Sequence, residues 1–84
     1  MSGAMTDEAL ERELRAWLDA KLGVRDVGRD EELVSSGLVD SGDLVRLATW
    51  LEGVADIEIP DVDIDAEHLD SIAMIVAYVG ERSR

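Results

Sequence analysis

The stretch Glu32-Leu33-Val34-Ser35-Ser36-Gly37-Leu38-Val39-Asp40-Ser41-Gly42-Asp43-Leu44 decides the fold. Up to Asp40 it reads as loop: a glycine, a serine pair, and only scattered apolar residues. From Ser41 the pattern changes. Leu44, Leu47, Ala48 and Leu51 fall at i, i+3, i+4 and i+7, one face of an amphipathic helix. Ser41 is a residue type that caps helix N-termini, and Gly53 is a stop signal, so a helix is predicted over Ser41–Glu52.

Upstream, Leu10, Leu14, Trp17 and Leu18 make a second stripe at helical spacing. Thr6 is its cap, Asp7 and Glu8 suit its first turn, and Gly23 ends it. The connection from Gly23 to Asp40 is long for a compact domain, and such loops are often functional. Leu33, Val34 and Leu38 are its expected anchors, and Asp30-Glu31-Glu32 a candidate helical turn. Downstream, Ser71 caps a last helix with Ile72, Ile75, Val76 and Val79 on one face. Gly80 is its expected breaker, with Arg82 and Arg84 at its negative end. Between these helices, Ile57, Ile59, Val62 and Ile64 alternate with acids around Pro60, which taken alone argues for a hairpin. The predicted core is Leu10, Leu14, Leu18, Leu47, Leu51, Ile72, Ile75 and Val79.

Composition bounds the function. The chain has 84 residues and 46% hydrophobic residues, enough for one small core. Residues 1–5 read as a flexible leader and 6–82 as the domain. Without cysteine there is no disulfide and no thiolate metal site. No apolar run reaches the ~20 residues of a membrane span. Lys and Arg total 8 against 20 acids, a net charge of −12. Such a chain repels phosphate backbones and anionic lipid, so neither nucleic acid nor membrane is an expected partner. Twelve carboxylates lie between Asp30 and Glu67, with Arg46 the one basic residue among them. A domain of this size has little room for a deep catalytic pocket beside its core.

Other motifs fall to simpler readings. Asp61, Asp63 and Asp65 have the spacing of the first ligands of a calcium loop. Ala66 stands where that loop needs glycine, however, and Ile72 where it needs a bidentate glutamate. His68 is alone, with no nucleophile elbow, and reads as a surface or half-buried residue of a short helix.

The ordered set Glu32 to Ser41, followed by the helix ending Leu51-Glu52, resembles the acyl and peptidyl carrier proteins. Ile57-Glu58-Ile59-Pro60-Asp61 is similar to that family's connection after the second helix. Ile64-Asp65-Ala66-Glu67-His68-Leu69-Asp70-Ser71-Ile72 resembles the tail of stand-alone carriers for amino-acid or unusual acyl units. The resemblance spans about Thr6 to Val79.

It implies an all-α, small four-helix bundle with a long first loop and a short third helix at Ala66 to Leu69, in place of the hairpin. It also implies that Ser41 carries 4'-phosphopantetheine, supplied from coenzyme A by a phosphopantetheinyl transferase. The arm's thiol would hold an acyl or aminoacyl thioester, so the chain is a tether and not an enzyme. An adenylating ligase or acyltransferase would load it, and a downstream synthase of bacterial polyketide or nonribosomal peptide assembly would unload it. It would do so as a cytoplasmic monomer. A helix N-terminus offers N–H groups to a phosphodiester, so cap and attachment site are compatible readings of Ser41. Asp40 is assigned to partner recognition or to the transferase's metal. On the exposed face of the second helix, Asp43 and Glu52 are the expected partner contacts, with Leu44 or Thr49 as apolar neighbours. Gly42 and Arg46 depart from the family's usual docking residues. Trp50 lies off the core stripe and is expected either at the edge of the core or as an exposed partner contact. The competing reading is a small acidic interaction module with an unmodified Ser41.

Overall fold

A computed structural model describes residues 6–83; the leader expected over 1–5 lies outside the described residues, as does Arg84. Four α-helices form among them: α1 (Asp7–Trp17), α2 (Ser41–Ala55), α3 (Ala66–Leu69) and α4 (Ile72–Arg82). The long loop separates α1 from α2, and no strand forms among the described residues.

Local chemistry starts each helix. Thr6 Oγ1 accepts the Ala9 N–H at 3.1 Å to cap α1, and Ser71 Oγ accepts the Met74 N–H at 3.1 Å to cap α4. Asp65 caps α3 through the His68 N–H at 3.1 Å. The apolar stripes then meet. All eight predicted core residues are at most 4% exposed, joined by Leu33, Val39, Leu44 and Leu69. Gly80 near the end of α4 lies against Asp7 at the start of α1, so these two helices run antiparallel.

Helix ends are where sequence and structure part. Beyond Trp17, α1 widens into a π-helical turn, Leu18–Leu22, and Gly23 then reverses the chain at φ +69°. Helix α2 runs through Gly53 to Ala55, because Val54 and Ala55 pack against the core. That burial outweighs the roughly 1 kcal/mol a helical glycine costs. Asp56 ends it in the left-handed region at φ +55°, a conformation aspartate tolerates better than most residues. Gly80 does not break α4, which continues to Arg82; Arg82 Nη2 is anchored on Asp63 at 2.7 Å.

The hairpin pattern is not realised. Residues 57–60 form neither helix nor strand, Asp61–Asp63 make a 3-10 turn, and α3 occupies Ala66–Leu69 as the resemblance implied. Ile59 turns into the core at 5% exposure while Val62 faces solvent at 79%.

The long loop is tied at several points. Arg15 Nη1 donates to the Val27 carbonyl at 2.7 Å, and Arg29 Nε to Glu11 at 2.8 Å. The Arg29 carbonyl accepts the Ala73 N–H at 2.9 Å, serving a free donor in the first turn of α4. No helical turn starts at Asp30. Instead the Glu31 side chain accepts the Gly28 N–H at 3.0 Å while Glu31 N–H returns to the Gly28 carbonyl at 3.2 Å. Val24, Val27, Leu33 and Val39 are the buried anchors; Leu38, expected to be one, is 43% exposed.

Candidate functional site

The loop delivers Asp40-Ser41 to the surface through a closed turn. Leu33 and Val39 are both buried, and Val39 N–H bonds the Leu33 carbonyl at 2.9 Å. Within this turn Gly37 takes φ +88°, and its N–H bonds the Val34 carbonyl at 3.1 Å. Asp70, at the α3–α4 junction, holds the turn from below. Its carboxylate accepts the Val34 N–H at 2.7 Å, the Ser35 N–H at 2.9 Å and the Ser35 hydroxyl at 2.6 Å. Burial alone would raise the Asp70 carboxyl, but the bonds from Ser35 and Val34 outweigh it and hold it below the usual carboxylate range. Nothing local in the sequence singles out Asp70, because its partners lie 35 residues upstream.

At the start of α2 the cap is Asp40, not Ser41. Asp40 has extended backbone, its Oδ1 accepts the Asp43 N–H at 2.7 Å, and its carbonyl accepts the Leu44 N–H at 2.9 Å. Both residues are good caps, and the one whose carbonyl opens the helical ladder takes the role. Ser41 is thereby the first helical residue, exposed, with its hydroxyl free.

That freedom separates it from the other described hydroxyls. Ser35 donates to Asp70, Ser36 to the Glu32 carbonyl at 2.6 Å, and Ser83 to the Val79 carbonyl at 2.7 Å. Ser71 is buried and caps α4; Thr6 caps α1; Thr49 donates to the Val45 carbonyl at 3.0 Å. Among the described residues, only the Ser41 hydroxyl has no intramolecular hydrogen bond. The N–H groups of the first turn stand beside it, a setting that suits a phosphodiester. Gly42 adds no side chain over it, and the residues present fit a covalent phosphate-linked group.

The expected partner face is partly rearranged. Leu44 is 2% exposed and belongs to the core, as its place on the apolar stripe requires. The apolar residue this face offers is Val45, 53% exposed. Glu52 is half-buried and its Oε2 accepts the Ile59 N–H at 2.8 Å, so it fastens the connection after α2. Asp43 pairs with Arg46 at 3.4 Å, and Thr49 is exposed. Trp50 is half-buried and stacks on Trp17, ring centroids 5.7 Å apart.

The acidic triplet is occupied by protein contacts. Asp63 Oδ2 accepts from Tyr78 Oη at 2.6 Å and from Arg82, while Asp65 receives His68 Nδ1 at 2.7 Å. His68 Nε2 lies 3.6 Å from Asp63, and its ring meets Tyr78 edge-on. Burial and the bond to Asp63 push the Tyr78 phenol up to about 12. The bond to Asp65 raises His68 above its ordinary value. No group of three or more metal-ligating side chains forms among the described residues, and no described helix is long and apolar enough to cross a membrane.

No curated protein matches the chain. The family profile of the phosphopantetheine attachment site matches residues 10–79, from the first core leucine to the last core valine. This chain belongs to that family, whose domain is the covalent attachment site of 4'-phosphopantetheine and is not itself a catalyst.

Proposed function

We propose that residues 6–82 are a discrete carrier domain bearing its phosphopantetheine on Ser41. The observation that carries the residue assignment is the uncommitted, exposed hydroxyl at the start of α2, where every other described serine is bonded within the protein. In attachment, the Ser41 oxygen would form a bond to the pantetheine-side phosphorus of coenzyme A. The phosphoanhydride bond breaks, 3',5'-ADP leaves, and the hydroxyl proton passes to the transferase. The arm, once bound, supplies a thiol that this cysteine-free chain lacks. On this reading Asp40 caps α2 and so fixes where the hydroxyl stands, and it lies where it can also serve the transferase's metal.

The cargo is an acyl or aminoacyl thioester. An adenylating ligase or acyltransferase loads it and a downstream synthase takes it, in polyketide or nonribosomal peptide assembly in the cytoplasm. Support for the pathway is the likeness of Ile64 to Ile72 to the tails of stand-alone carriers. The domain acts as a monomer whose partner face centres on Asp43, Val45 and Thr49.

The test is incubation with coenzyme A and a broad-specificity transferase, followed by intact mass and peptide mapping. One phosphopantetheine on Ser41, and none on a folded Ser41→Ala variant, is the expected result. Addition at Ser35, Ser36 or Ser71 would overturn the residue assignment. No addition at all would overturn the carrier reading and leave the acidic interaction module.

A further inference from the structure

On its exposed side α2 forms a cleft of about 360 Å³ with the end of α1. Trp17 and Lys21 line one wall, and Val45, Arg46, Thr49 and Trp50 the other. Its composition is unlike the rest of this acidic molecule. The indoles of Trp17 and Trp50 lie 5.7 Å apart and 26° from parallel, and give the cleft an aromatic floor. Two cations flank them. Lys21 makes no ion pair among the described residues. Arg46 is held only by the 3.4 Å contact to Asp43, with its side chain 58% exposed.

The near end of the cleft, at Val45, lies one helical turn along α2 from Ser41. Helical geometry puts Val45 about 40° round and ~6 Å along α2 from Ser41, Thr49 about 80° round and ~12 Å along, and Trp50 about 180° round and ~13 Å along. A group tethered at Ser41 therefore passes Val45 before reaching the indoles, without crossing the core face. Ligand pockets start at roughly 300 Å³, so this cleft takes one ring-sized group and not an extended chain.

Resting on the Ser41 reading, we infer that this cleft seats the acyl end of the arm, and that the cargo it selects is an aromatic acyl group carrying an acidic substituent. The ring stacks on indole, an arrangement aromatic pairs favour. The acid meets Lys21, which has no ion pair among the described residues, and Arg46, whose one partner is Asp43 at 3.4 Å. An enzyme docking over Val45 and Thr49 would displace the ring and so claim the cargo.

Trp17 and Trp50 are the only tryptophans in the chain, so its emission reports the cleft directly. The full-length protein would be loaded by the transferase with coenzyme A, acetyl-, octanoyl-, benzoyl- or 4-carboxybenzoyl-coenzyme A, each confirmed by intact mass. Expected is tryptophan quenching of about twofold with the carboxybenzoyl arm, less with benzoyl, and none with the acetyl or free arm. Lys21→Glu, at an exposed position, should reduce the carboxybenzoyl effect to the benzoyl level. Amide shifts on loading should cluster at Trp17, Lys21, Val45 and Thr49. Equal emission for all five arms overturns the proposal while the mass gain upholds the attachment. So do shifts confined to α3 and α4, a larger response to octanoyl, or an effect that grows with protein concentration and marks a second copy as the occupant. Absence of any mass gain overturns the attachment and the cleft proposal together.

Discussion

At Asp40 and Ser41, neighbouring residues divide two tasks that the sequence alone assigns to one. The aspartate ties down the Asp43 N–H, and the serine is left for chemistry. Their variants should separate accordingly. Asp40→Ala should lose the cap and about 0.5–2 kcal/mol of stability. Ser41→Ala should unfold within about 0.5 kcal/mol of wild type, since an uncommitted surface hydroxyl holds nothing together. Denaturant titrations of both check this; a Ser41→Ala variant as destabilised as Asp40→Ala would mean the serine shares the cap. His68 makes a second residue-scale test. Its hydrogen bond to Asp65 raises its proton affinity in the folded state. The associated stability is therefore fully present below the ordinary histidine value and is lost as pH rises through the folded one. Asp65 has the opposite sign: held low by His68, it contributes above the ordinary carboxylate range and loses that contribution as pH falls. The stability gap between wild type and His68→Gln should shrink as pH goes from about 5.5 to about 8. A gap constant over that window would show that His68 packs against Tyr78 without using its charge.

Among the elements, the parts legible in advance were those decided within a few residues. Thr6 and Ser71 cap where they stand, and the leucine and isoleucine stripes face inward; α3 at Ala66–Leu69 came from the family resemblance and not from the local pattern. Burial overrode local signals elsewhere. Gly53 and Gly80 are helix breakers by propensity, yet α2 and α4 pass through them because the residues beyond are packed or anchored. The alternation of Ile57 to Ile64 offers only two short arms around Pro60, too little for a hairpin to stand alone, and the core takes Ile59 while leaving Val62 in solvent. Long-range polar ties left no local trace at all. Glu52, an expected partner contact, also clasps the Ile59 N–H, and Asp70, assigned no role from the sequence, holds the turn ahead of Ser41. In the candidate site, the Asp-Ser pair was visible from its sequence context, while the Trp17–Trp50 cleft depends on two helices meeting. The Asp70 clasp can be measured. Asp70→Ala removes the acceptor of all three bonds and should cost about 1–3 kcal/mol. Hydrogen exchange at the Val34 and Ser35 amides should quicken by more than the global loss of stability explains. Unchanged protection there would show that Leu33 and Val39 hold the turn without it.

Over the whole molecule, charge is the dominant unresolved tension. Net charge is −12, and only Asp43, Asp63 and Asp65 of the twelve acids from Asp30 to Glu67 meet a basic side chain among the described residues. Several cations elsewhere are spent on acids outside that stretch: Arg25 on Asp19, Arg15 and Arg29 on Glu11. Folding therefore gathers unpaired carboxylates that the unfolded chain keeps further apart. Self-repulsion of this kind lowers stability and is screened by salt, with a Debye length near 10 Å at about 0.1 M. The thermal midpoint should rise from about 10 mM to about 0.5 M sodium chloride. Salt also acts on hydrophobic burial, so the charge contribution needs its own variants. Asp30 and Glu58 are exposed and are not engaged in the loop ties that occupy Glu31 and Glu52. Asp30→Lys and Glu58→Lys should each raise the midpoint by about 1–4 °C at low salt. That gain should vanish at high salt, where the repulsion they relieve is already screened. Midpoints that rise equally at both ionic strengths would point to local packing; midpoints that fall would show the acids are balanced by the field of the folded chain.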